Sequence, residues 1–263
     1  MPIASPHHEA ATLPDGVQPL LRGSAARGPL QAVIPHLGVN QVHIWTLIPE
    51  SVEIAAYAGL LSAEEMERAR RFRFASLFER FVCDHARLRL LLSGYLAQEP
   101  QTLRFVENAQ GKPRIHDPGC RLRFNMSHTK GLTLMAFCLD AEIGVDVEKL
   151  RVIDDCEQLA AMNFSSAESI ALQAQPESER NAAFLRCWTR KEAYIKARGE
   201  GLSLPLDGFS VTLGKDERAS LTHCAWDMNE PARWMLEDLQ SLPGYVGALA
   251  IERGAWSISQ HRW

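Results

Sequence analysis

Two acidic residues stand two apart inside an otherwise apolar, β-branched stretch, Gly144-Val145-Asp146-Val147-Glu148. Side chains alternate across a strand, so Val145 and Val147 face a core while Asp146 and Glu148 share the opposite side. Two like charges held this close repel one another, and a hard cation between them removes that cost. An Asp-x-Glu strand is most often a solvated face, so the pair by itself decides nothing.

A second feature gives the pair its context. Residues 180–197 read as a helix that stops at Gly199 and Gly201, as helices commonly do. Residues four apart share a helix face, which puts Trp188, Glu192 and Lys196 on one stripe. If that stripe faces the strand end, Glu192 becomes a third oxygen ligand and Lys196 sits beside it. Three carboxylates without nearby Cys or His favour Mg²⁺ or Mn²⁺ over zinc. Taken alone, a Glu–Lys pair four apart only supports its helix, by ~0.2–0.5 kcal/mol.

The rest of the chain reads as mixed α and β structure. Strand-like content lies at residues 42–47, 103–106, 122–126, 132–139, 143–147, 209–213 and 246–251. Ser62-Ala63-Glu64-Glu65 and Ser165-Ser166-Ala167-Glu168 are capping boxes that open helices. Residues 77–96 form a further helix, with Phe81, Leu88, Leu91, Leu92 and Tyr95 at helical spacing. The order of elements suggests an α+β fold in two halves of similar size. Residues 1–38, rich in Pro, Ala, Gly and Ser, read as a mobile extension. An N-terminal subdomain would then span 39–140 and a C-terminal one 141–263.

Composition narrows the function. The 263 residues carry a formal net charge of −4, which gives no general attraction to nucleic acid or anionic membrane. No apolar run approaches the roughly 20 residues that span a bilayer, and the first residues do not resemble a secretory signal. The six cysteines form no C-x-x-C pair, which points to reduced thiols and a cytoplasmic setting rather than disulfides or structural zinc.

The combination resembles the Sfp-type 4′-phosphopantetheinyl transferases. Their G-[ILV]-D-[ILV]-E strand and later W-x-x-K-E-A-x-x-K helix read here as Gly144–Glu148 and Trp188–Lys196. Gly111-Lys112-Pro113 matches the family's G-K-P turn, and Phe124-Asn125-Met126-Ser127-His128 its F-N-x-S-H segment. Gly199-Glu200-Gly201-Leu202 and the following Ser203-Leu204-Pro205-Leu206 also fit. The resemblance covers residues 39–251, and the ordered set is far more specific than any one motif.

The resemblance implies two similar α+β subdomains related by a pseudo-twofold axis, with the active site in the cleft between them, in a monomer. It implies transfer of the phosphopantetheine arm of coenzyme A to a serine of an acyl or peptidyl carrier protein, leaving 3′,5′-ADP. Asp146, Glu148 and Glu192 would hold Mg²⁺, with Glu192 as general base and Lys196 on the pyrophosphate. Lys112, Pro113, Ser127, His128 and Asp146 would contact coenzyme A, with Arg80 first and Arg87 second in the arginine cluster as the basic residue near the 3′-phosphate. Without the resemblance, Lys112 reads as a solvated turn lysine and His128 as a hydrogen-bonded structural histidine. The competing expectations are a non-catalytic module that binds coenzyme A or a carrier protein, and a Mg²⁺-dependent phosphohydrolase or nuclease acting with water.

Overall fold

The computed structural model describes residues 33–48, 54–239 and 243–263. Residues 1–32 of the expected extension lie outside them; within the remainder, Leu37 is buried. The described residues gather into two compact units, one drawn from residues 33–36 and 54–103, the other from residues 37–48, 104–239 and 243–263. The boundary expected between residues 140 and 141 falls inside the second unit.

The first unit is helical, with α1 (Ile54–Ala58), α2 (Ala63–Arg70) and α3 (Ala75–Leu96). Its capping box is complete: the Glu65 amide donates to Ser62 Oγ at 3.2 Å and the Ser62 amide to Glu65 Oε2 at 2.8 Å. Tyr57, Leu60, Leu61, Ala69, Val82 and Ala86 form its core. Arg89 is fully buried and donates to Glu65 Oε2 at 2.7 Å and to the carbonyls of Pro100 and Leu103. That contact corrects the expected strand at 103–106. Residues Pro100–Thr102 make a 3₁₀ turn, Arg89 takes the Leu103 carbonyl, and pairing starts only at Phe105.

The second unit holds the sheets. β1 (Gln41–Leu47), β4 (Leu122–Thr129), β5 (Leu132–Leu139) and β11 (Ser257–Arg262) form a four-stranded sheet in the order β11-β1-β5-β4. β6 (Ile143–Lys149), β9 (Trp234–Asp238) and β10 (Tyr245–Glu252) form a second sheet in the order β6-β10-β9. Two-stranded ribbons join β2 (Phe105–Glu107) to β3 (Pro113–Ile115), and β7 (Phe209–Val211) to β8 (Leu221–Cys224). The helices are α4 (Cys156–Asn163), α5 (Ser166–Gln173), α6 (Glu177–Arg198) and α7 (Glu230–Arg233). The α+β class is as the sequence implies. The chain closes on β11, however, not on the strand at 246–251.

One core cluster fills each face of the β6–β10 pair. Val145, Val147, Leu249 and Ile251 join Val42, Ile44 and Leu134 on one side. Ala248 and Ala250 join the buried residues of α6 on the other. Gly144 and Asp146 pair with Ala250 and Ala248, so the acidic side of β6 is the side that α6 crosses. Gly144 makes the crossing possible: a Cβ there would lie 2.1 Å from the Ala193 carbonyl oxygen and 2.3 Å from the Ala197 amide nitrogen.

Candidate active site

Asp146 sits on β6 with 6% of its surface exposed, next to β4 of the other sheet. β4 and β6 share no ladder, and side chains of β4 supply the cross-links. Asn125 Oδ1 accepts from the Val145 amide at 2.9 Å. Two residues along β4, Ser127 Oγ donates to Asp146 Oδ1 at 2.7 Å. From α6, Lys196 Nζ donates to the same Asp146 oxygen at 2.6 Å and to Ser127 Oγ at 2.9 Å. The other carboxylate oxygen, Oδ2, is buried and takes no hydrogen bond among the described residues. A buried carboxylate oxygen without a donor is costly unless a ligand meets it.

Glu192 lies one turn before Lys196. Burial pushes its carboxyl up to about 7; the Lys196 ammonium pulls it back, and the charges of Asp146 and Glu148 push it further up. The three acids and the lysine therefore share one electrostatic neighbourhood. Glu148 accepts from Thr129 Oγ1 at 3.3 Å and from Arg151 Nη1 at 2.9 Å. Even so, among the described residues no three His, Cys, Asp or Glu side chains form a ready-made metal cage. The physical reason is visible: Asp146 Oδ1 is turned to Lys196 and Ser127, and Glu148 is turned to Arg151. The donors present are hard oxygens, one of them unsatisfied, and they fit Mg²⁺ or Mn²⁺ once side chains turn.

The rotation of α6 is fixed by the residue before Glu192. Lys191 is fully buried, 2.8 and 2.7 Å from the two Glu168 oxygens and 2.6 Å from the Phe209 carbonyl oxygen, with its ammonium 4.1 Å from the Phe209 ring centre. Glu168 also closes the capping box of α5 and accepts from the Val211 amide at 2.7 Å. Trp188 packs on Phe184 and Phe164. With Lys191 anchored away from the strand, Glu192 and Lys196 face β6.

The other expected residues are placed less directly. The Lys112 ammonium is 2.5 Å from Glu142 Oε2 and 2.8 Å from the Ala197 carbonyl oxygen. It is no solvated turn lysine; burial lowers its pKa, against the opposing pull of Glu142. Asn108 completes a clasp on the end of α6, holding the Lys112 amide with Oδ1 and the Gly199 carbonyl with Nδ2. Gly111 turns this loop with φ of 85°, and Pro113 opens β3 opposite Glu107. His128 is exposed on β4 opposite Thr133. Arg80 and Arg87 belong to the first unit. Arg80 Nε lies 3.8 Å from Asp84, while Arg87 is buried with its guanidinium over Tyr57. The sequence marks no role for Asn125, Thr129, Arg151, Lys191 or Glu168. The signals present are the capping box around Glu168 and the motif positions of Lys191 and Asn125; Thr129 and Arg151 carry none.

Comparison with known proteins decides the family. A family model described as the 4′-phosphopantetheinyl transferase superfamily matches residues 142–250, the stretch that carries all three carboxylates and Lys196. The 4′-phosphopantetheinyl transferase HetI of Nostoc sp. is 35% identical over 222 residues, which cover 82% of this chain and 90% of HetI. The chain belongs to the 4′-phosphopantetheinyl transferase superfamily. Two Bacillus subtilis transferases are also similar. The one named ffp is 37% identical, covering 62% of this chain and 71% of its own length. Sfp is 34% identical, covering 63% of this chain and 72% of its own. In this superfamily context, the clasp, the glycine crossing and the Asp146–Ser127–Lys196 contact are what hold the shared acidic strand and helix together.

Proposed function

We propose that the protein transfers the 4′-phosphopantetheine arm of coenzyme A to a serine of an apo acyl or peptidyl carrier protein, in a Mg²⁺-dependent reaction that releases 3′,5′-ADP. Asp146 carries this reading: it is a buried carboxylate with one oxygen held by Ser127 and Lys196 and the other without a donor. Asp146, Glu148 and Glu192 would hold Mg²⁺, or Mn²⁺ in its place. The bound ion would offset charge on the pyrophosphate oxygens.

The chain's own groups account for the remaining chemistry. Glu192, buried beside Asp146, Glu148 and Lys196, would serve as the general base toward the serine hydroxyl. Its two oxygens divide the tasks of ligand and base. The serine oxygen bonds to the phosphorus that carries the pantetheine arm, and the bond from that phosphorus to the 3′,5′-ADP oxygen breaks. The electron pair leaves with 3′,5′-ADP. The Lys196 ammonium steadies the charge on the departing phosphate. Ser127, His128, Pro113 and Lys112 contribute to the coenzyme A site. Lys112 reaches a phosphate only by leaving Glu142 and Ala197, so its first service is to hold the turn against α6.

We place the enzyme in the cytoplasm as a monomer, in keeping with six free cysteines, four of them buried. No described helix is long and apolar enough to cross a membrane. The test is mass spectrometry of several apo carrier proteins incubated with the enzyme, coenzyme A and Mg²⁺. A carrier gains the phosphopantetheine mass, and Asp146→Ala or Glu192→Ala lowers the rate at least about 100-fold, the scale of a lost catalytic group. Binding of coenzyme A with no mass gain on any carrier would replace this reading with a non-catalytic binder. Release of 3′,5′-ADP without a carrier would replace it with a phosphohydrolase.

A further inference from the structure

The contacts of the acidic pair point beyond a simple ligand set. We propose that Lys196 is a resident counter-ion of Asp146, and that the site takes up its divalent cation by exchange: the metal displaces the ammonium from Asp146 and frees it for an anionic substrate. This rests on the Mg²⁺ reading above and specifies how that site is loaded.

Four observations carry it. Lys196 Nζ lies 2.6 Å from Asp146 Oδ1 and 2.9 Å from Ser127 Oγ, so it holds a ligand oxygen directly. Oδ2 of the same carboxylate is buried without a donor, so the ammonium satisfies only half of the group. Glu148 is treated in the same way, with Arg151 2.9 Å from its Oε2. Finally, the two partners differ in freedom. The Asp146 side chain is 8% exposed on a strand paired along its length, whereas that of Lys196 is 28% exposed on the last turn of α6. The lysine stem can swing out; the carboxylate stays.

Electrostatics supplies the direction. A divalent ion bound at about 2.0–2.1 Å to an Asp146 oxygen brings two positive charges close to an ammonium on the same carboxylate. The two cations repel, and the one on a flexible stem leaves. Before exchange, the ammonium prevents Asp146 from being buried as a lone charge. After it, Lys196 stands beside the metal, where an anionic phosphate oxygen is its natural partner. Arg151, with its side chain 49% exposed, can make the same move at Glu148.

Lysine reactivity reads this directly. The full chain is reductively methylated briefly, with and without saturating Mg²⁺, and modification at Lys196 is compared by peptide mass spectrometry with that at the exposed Lys215. The expected result is a rise of at least five-fold in relative modification of Lys196 on adding Mg²⁺. In Asp146→Asn, Lys196 reacts at one high rate with or without the ion. Lys196→Met provides a second reading: titration with Mn²⁺, followed by the paramagnetic resonance of free Mn²⁺, should show binding at least five-fold tighter than wild type. If wild type binds Mn²⁺ but Lys196 reactivity stays flat or falls, or if Lys196→Met binds no more tightly, the exchange is wrong and the metal site stands. If wild type binds no Mn²⁺, both fall.

Discussion

Glu192 is a buried carboxyl whose ionisation works against the fold. Its carboxyl has an ordinary value of 4.5 and is pushed up to about 7 in the folded protein, burial being the largest cause. Between those values the native state holds a proton that the unfolded chain has released. Stability therefore falls as pH rises through this window. Glu192→Gln removes the penalty. Without divalent ions, the variant should match wild type below about pH 4.5 and exceed it above about pH 7, by several degrees in Tm, since about 1 kcal/mol corresponds to ~2–4 °C for a chain of this size. Thermal melts across that range check it, and a pH-independent difference would rule out titration of Glu192 as the cause. The position of this residue was only half legible. Strand alternation places Asp146 and Glu148 together, but Glu192 joins them through a tertiary contact, and no local pattern reports one. The cross-strand roles of Asn125, a motif residue, and of Thr129 are hidden for a related reason: their partners lie on β6, about twenty residues away, and a side chain that bridges two strands leaves no periodic trace.

Among elements, everything depends on α6 lying flat on β6. Gly144→Ala tests that contact, because the added methyl would meet backbone atoms of Ala193 and Ala197, which cannot rotate aside. Urea denaturation should show a loss of about 3 kcal/mol, at the upper end of ordinary overpacking, and transfer should fall with it because Glu192 and Lys196 move together. Lys191→Met tests the helix from its other side. It leaves Glu168 buried without its ammonium and should cost about 3–5 kcal/mol, the usual result of breaking a buried pair from one side. A loss under about 1 kcal/mol would mean that the amides of Ser165 and Val211 satisfy Glu168 on their own. The sequence announced α6 and both capping boxes because those signals are local: periodicity, a hydroxyl and a carboxylate three residues apart, a glycine at the stop. It concealed β11, whose Ser257-Ile258-Ser259-Gln260-His261-Arg262 is a polar edge strand. Its partner is β1, over two hundred residues earlier, in parallel pairing that no turn signal marks. β8 and β9 were missed likewise, being short strands whose pairing is set by the sheet they join.

At the scale of the whole molecule, the carboxylates form a concentrated charge in a chain whose net charge is only −4. Asp146, Glu148, Glu192, Lys196, Ser127 and Lys112 all fall in the second compact unit. A ligand that binds the native state and not the unfolded chain stabilises it by about 2.7 kcal/mol at a hundred times its Kd. Magnesium should therefore raise the melting temperature, and the rise should grow with the logarithm of its concentration. Chelation should reverse it, and Asp146→Ala should abolish it. Hydrogen exchange locates the effect: slower exchange on adding the ion is expected in β6 and the last two turns of α6, where Asp146, Glu148, Glu192 and Lys196 reside, and not in α1 or α2. A uniform slowing, or one confined to the first unit, would mean that the ion stabilises the protein by general screening. A rise that survives in Asp146→Ala would take Asp146 out of the ligand set, and with it the exchange of the cation for the Lys196 ammonium.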